Sequence, residues 1–94
     1  MMEKFKELIS LCKCSVSIHV NDHKDAYYES VKDYISDEDA EDIEPEVYAK
    51  MVELNTCVEI YAYPTTPIGS YKIYHYDVDL AVEKMLEIIK KEKQ

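Results

Sequence analysis

The sequence predicts an α+β domain in which a small three-stranded antiparallel sheet has its helices packed on one face. Three observations carry this expectation. Residues 14–20, 57–63 and 71–76 alternate with a period of two, as strands with two unlike faces do. Residues 2–11 and 78–89 repeat apolar side chains every three or four positions, the mark of amphipathic helices. The 94 residues suit one domain, 1–94, with a single modest core. The predicted element order is α-β-α-α-β-β-α.

The first helix rests on Met2, Phe5, Leu8, Ile9 and Cys12, with Glu3, Lys4, Lys6 and Glu7 opposite. In the first strand Cys14, Val16, Ile18 and Val20 form the apolar side, and Ser15, Ser17 and His19 the polar side. Asn21-Asp22 ends it. Tyr27, Tyr28, Val31, Tyr34 and Ile35 have helical spacing and predict a second helix over 24–35. Pro45 suits a first helical turn. Val47, Tyr48, Met51, Val52 and Leu54 then continue a third helix to Asn55, a C-terminal cap.

The second strand sets Val58, Ile60 and Ala62 against Cys57, Glu59, Tyr61 and Tyr63. Residues 64–70 are rich in turn formers and predict a long hairpin loop. A symmetric hairpin would pair Tyr63 with Tyr71. Asp77 caps the last helix, whose stripe is Val78, Ala81, Val82, Met85, Leu86 and Ile89. Its end carries Lys90, Lys91 and Lys93, where the helix dipole favours cations. Ile18, Val58, Ile60, Val82, Leu86 and Ile89 are the expected shared core.

Without the first helix, the order β-α-α-β-β-α resembles that of type I KH domains. Those clamp nucleic-acid backbone with a GxxG loop between their middle helices. Here that place holds residues 36–44, which are acidic and contain no glycine. The resemblance is one of element order, and no function follows from it.

Composition excludes several function classes. The basic residues are 11 lysines with no arginine, and the formal net charge is −9. Direct binding to nucleic acid or to an anionic membrane is therefore not expected. A single glycine, Gly69, leaves no phosphate-cradling loop, and no cofactor is expected. No apolar run reaches the length of a membrane span. The odd cysteine count, Cys12, Cys14 and Cys57, and an early-acidic start that is no secretory signal predict a cytoplasmic chain with reduced thiols. Cys12-x-Cys14 with His19-x-x-x-His23 has poor zinc spacing, and Cys14 and His19 point to opposite faces of one strand. Asp37-x-Asp39-x-Glu41 opens like a calcium loop but places Asp42 where glycine is needed. Cys57 lacks the helix N-terminus or sharp turn that activates a nucleophile.

Two surfaces remain. Residues 36–46 hold seven acids and no base, supplying −7 of the −9, while the flanking parts carry −1 each. Asp37, Glu38, Asp39, Glu41, Asp42 and Glu44 predict an extended or loosely turned docking patch for a basic protein surface. The second surface is the sheet face away from the helices, expected to be open and to gather His19, Tyr61, Tyr63, Tyr71 and His75 with Glu59. Tyrosine suits a contact surface, including a homodimer contact. The function read from these features is a non-enzymatic acidic interaction or inhibitor protein. One form is a phage or mobile-element regulator of a nucleic-acid-handling enzyme. The alternative is a small enzyme or ligand-binding domain using the His/Tyr/Glu cluster.

Overall fold

The computed structural model describes residues 2–65 and 69–92, apart from the side chains of Met2, Lys13 and Cys14. The elements are α1 (Met2–Leu11), β1 (Cys12–Val20), α2 (Asp22–Asp25), α3 (Val31–Tyr34), α4 (Asp37–Glu41), α5 (Pro45–Leu54), β2 (Val58–Pro64), β3 (Tyr71–His75) and α6 (Val78–Glu92). The predicted α+β class and the order of the main elements hold. The sheet is antiparallel with strand order β1-β2-β3. Expectations for Cys14 in the core and for the loop at Thr66, Pro67 and Ile68 lie outside the described residues.

The long helices α1 and α6 pack on one sheet face, as expected. Val16, Ile18 and Val20 pair with Ala62, Ile60 and Val58, so these residues share that face. Val58, Ile60 and Ala62 join Leu8 and Cys12 with Ala81, Val82, Met85, Leu86 and Ile89 in one buried cluster. Ile18 packs against it half-buried. Full burial of each large aliphatic side chain contributes about 1.5–3 kcal/mol. Asp77 accepts the Leu80 N–H at 2.9 Å and caps α6 as predicted.

Between β1 and β2 the chain departs from its local pattern. The helix expected over 24–35 is broken into α2 and α3. Tyr27 adopts a left-handed conformation, φ 62°. Tyr28 N–H reaches the His23 carbonyl at 2.8 Å, and Tyr27 N–H the Lys24 carbonyl at 3.2 Å, which together form a Schellman-type stop. Asn55 supplies the competing tertiary contact. Its side chain accepts the Val31 N–H at 2.9 Å and donates to the Glu29 carbonyl at 3.1 Å, fixing the non-helical turn at Glu29 and Ser30 that precedes α3. Asn55 itself ends α5 in a left-handed conformation, as predicted.

The acidic segment is also more ordered than expected. Ser36 accepts the Asp39 N–H at 3.2 Å and starts the single turn and a half of α4.

The second sheet face is not open, which corrects the expectation. Val31, Ile35, Met51 and Cys57 form a second buried cluster, against which Tyr34, Ile43, Val47, Tyr48 and Tyr74 pack. Cys57 and Tyr74 belong to the face opposite Val58 and Ile60, so α3–α5 fold over that face. They do so because Ile43, Val47 and Met51 need an apolar partner that α1 and α6 already occupy on the other side.

The hairpin register gives a further correction. Ala62, not Tyr63, pairs with Tyr71, and Val58 pairs with His75. A shift of one residue moves a whole strand's side chains to the other face. Tyr71, Ile73 and His75 therefore lie on the α1/α6 side, while Lys72 and Tyr74 lie with Glu59. Among the described residues, no helix is long and apolar enough to cross a membrane.

Candidate functional site

Two polar constellations result from this arrangement. The first surrounds Glu59, which is only 4% exposed. Each carboxylate oxygen has its own donor: Tyr34 Oη donates to Oε1 at 2.6 Å and Tyr61 Oη to Oε2 at 3.0 Å. Lys72 lies 4.8 Å from the centre of the Tyr74 ring and 5.7 Å from that of Tyr61, within cation–π range. The Glu59 bond, then burial, holds the Tyr34 hydroxyl well above its ordinary range. Burial and the same carboxylate push Tyr61 up to about 12. The buried Cys57 thiol, beside Glu59 and Asp22, is also pushed up to about 12 and keeps its proton at neutral pH. Glu59 thus accepts one phenol bond on each oxygen, next to an unreactive thiol. Its role is to fasten α3 to the sheet, since buried polar groups need such partners.

The second constellation is a cleft of about 240 Å³ along the outer side of β3, bounded by the α4–α5 region and α6. Ile43, Val47, Ile73 and Ile88 supply its apolar lining, and all four are half-buried. His75 is 8% exposed and lines the same cleft. Its Nδ1 accepts the N–H groups of Tyr76 at 2.9 Å and Asp77 at 3.2 Å. The neutral ring must then carry its proton on Nε2. Burial holds the His75 pKa below its ordinary value, so the neutral form prevails at neutral pH.

The acidic segment forms the rim. Asp39 accepts the Tyr74 hydroxyl at 3.2 Å and lies 3.8 Å from the Lys72 ammonium. Glu44, the residue before Pro45, accepts from the Lys84 ammonium of α6. These contacts tie both ends of the segment to the fold. Asp37, Glu38, Glu41 and Asp42 remain exposed, with no ion pair among the described residues.

The sequence-predicted site residues are therefore divided. The acids of 37–44 stay together, but Asp39 and Glu44 are engaged internally. His19 and Tyr61 share the Glu59 face: His19 meets the Tyr61 ring edge-on at 5.7 Å and contacts Asp22 at 3.1 Å. Tyr63 is exposed near the end of β2. Tyr71 and His75 belong to the opposite face, and Tyr71 packs against the α1/α6 core. The five-residue cluster expected on one open face does not assemble, because Tyr71 and His75 pair onto the opposite face. Sequence reasoning missed Lys72, Tyr74, Lys84, Ile73 and Ile88 as cleft residues. Tyr-Lys-Ile-Tyr-His-Tyr carries bulky side chains at both parities, so its alternation gives no phase; Lys72 within it was the one available signal.

Among the described residues no three His, Cys, Asp or Glu side chains converge as a metal site would require. Cys12 and Cys57 are buried free thiols. No family model, no curated protein and no solved structure matches this chain.

Proposed function

We propose that this chain is a non-enzymatic interaction protein, acting in the cytoplasm, whose acidic segment docks on a basic surface of a protein partner. The observation carrying the reading is the presentation of four carboxylates, Asp37, Glu38, Glu41 and Asp42. They are exposed and without ion pairs among the described residues. Their neighbours Asp39 and Glu44 anchor the segment to Lys72, Tyr74 and Lys84. Unneutralised charge on an anchored turn steers association, because complementary fields act chiefly on the rate of encounter. A nucleic-acid-handling enzyme offers the lysine- and arginine-rich surface that such carboxylates would occupy in place of phosphates. Inhibition of such an enzyme, by a protein of a phage or mobile element, is the form that the acidity supports.

The test begins with affinity capture from the source cell and identification of the bound protein by mass spectrometry. Association is then measured at two salt concentrations for the wild type and for a variant carrying Asp37→Asn, Glu38→Gln, Glu41→Gln and Asp42→Asn. The variant leaves the anchors intact, so its folding midpoint stays close to that of the wild type. Its on-rate should fall and its salt dependence flatten, since exposed charges are screened over about 8–10 Å. An unchanged on-rate at low salt removes the reading.

A further inference from the structure

We infer that the cleft along β3 receives one apolar side chain of the basic partner, flanked in that partner by lysine or arginine residues. The inference rests on the docking reading above and names what the partner must present. Size comes first. The cleft holds about 240 Å³, below the roughly 300–1,000 Å³ of pockets for cofactors and drug-sized molecules. It suits one large side chain and the backbone beside it.

Chemistry narrows the occupant. Ile43, Val47, Ile73 and Ile88 line the cleft and are only partly buried, so an apolar guest removes from water the surface that the fold leaves wet. His75 is more than nine-tenths buried, and its Nε2–H has no partner among the described residues. His75 lines the cleft in the tautomer that leaves Nε2–H as its donor, and a backbone carbonyl beside the inserted side chain would accept from it. Charge chooses the flanks. Lys72 and Lys84 reach the cleft already paired with Asp39 and Glu44. Asp42 is the cleft's unpaired charge, and Asp37, Glu38 and Glu41 extend that field. A cation-flanked apolar residue satisfies all these groups together; an acidic peptide would have to displace two ion pairs.

The experiment titrates the isotopically labelled protein with two blocked synthetic peptides, Lys-Lys-Phe-Lys-Lys and Lys-Lys-Ala-Lys-Lys, by NMR. The phenylalanine peptide should bind roughly ten- to a hundredfold more tightly, the range expected for burying one aromatic side chain. Its titration should move the amide signals of Ile73 and Ile88 and the His75 ring signals, which the alanine peptide leaves in place. Val47→Phe, which fills the cleft from α5, should bring the ratio of the two affinities close to one. Should that variant not fold, the wild-type ratio and shift map decide alone. Equal affinities, with shifts confined to 37–42, would overturn the cleft inference while leaving the acidic docking reading standing. Binding of neither peptide at low salt would overturn both.

Discussion

Replacing Tyr34 by phenylalanine tests whether one hydrogen bond holds the second sheet face closed. The substitution keeps the aromatic ring, with its neighbours Tyr28 at 5.5 Å and His23 at 6.0 Å between centroids. What it deletes is the hydroxyl bonded to Glu59 at 2.6 Å. Hydrogen bonds to charged groups contribute about 1.5–3 kcal/mol. Glu59 keeps the Tyr61 donor at 3.0 Å, so a loss of about 2 kcal/mol is expected. For a domain of this size that lowers the melting temperature by roughly 8–16 °C. Tyr61→Phe removes the longer bond and should cost about 1 kcal/mol. The double variant leaves a nearly buried carboxylate without either donor and should lose about 0.5–1 kcal/mol more than the sum. Urea unfolding followed by circular dichroism, with an unchanged slope, measures all three. The pH dependence adds a second readout. Because the Tyr34 pKa is raised in the folded state, its contribution is complete below about pH 10 and is lost as pH rises above that value. Wild-type stability should therefore decline in alkali more steeply than that of Tyr34→Phe. A single-variant change within about 0.5 kcal/mol and strict additivity in the double variant would show that α3 is not fastened through Glu59.

Three further outcomes follow from the same packing. Leu86→Ala should destabilise by about 2–5 kcal/mol, since Leu86 belongs to the cluster between α6 and the sheet; an unmoved denaturation midpoint would contradict that packing. Tyr27 is 95% exposed and left-handed, so Tyr27→Gly relieves about 1–2 kcal/mol of strain against about 0.5–1 kcal/mol of added chain entropy. A net stabilisation of roughly 0.5–1 kcal/mol is expected, and a destabilised variant would refute the strain. Burial lowers the His75 pKa, while Asp77 and Glu44 raise it and Lys84 lowers it further. Its NMR titration should have a midpoint below about 6.5, and its stabilising contribution should be present above that pH and lost as pH falls through the folded value; a midpoint at or above 6.5 would refute the burial.

Much of the architecture was legible in local pattern. β1 and β2 set small or β-branched apolar residues against Ser17, His19, Glu59 and Tyr61, and that contrast specified both strand phases. The stripe of α6, the cap at Asp77, the left-handed stop at Asn55 and Pro45 in the first turn of α5 are likewise signals within a few residues. The concentration of acids in 36–46 was a matter of counting. The phase of β3 was different in kind. Tyr71, Ile73 and His75 are no more apolar as a set than Lys72, Tyr74 and Tyr76, so only pairing with β2 could choose between them. That choice separated His75 from His19 and moved it into the wall of the cleft. The break at Tyr27 depends on Asn55, 26 residues from the Glu29 carbonyl it engages. The anchoring of the acidic segment depends on Lys84, 40 residues from Glu44, and on Tyr74, 35 from Asp39. Periodicity and capping are properties of neighbouring residues, whereas register and long-range pairs exist only once the chain has closed on itself, and the cleft is made entirely of the latter.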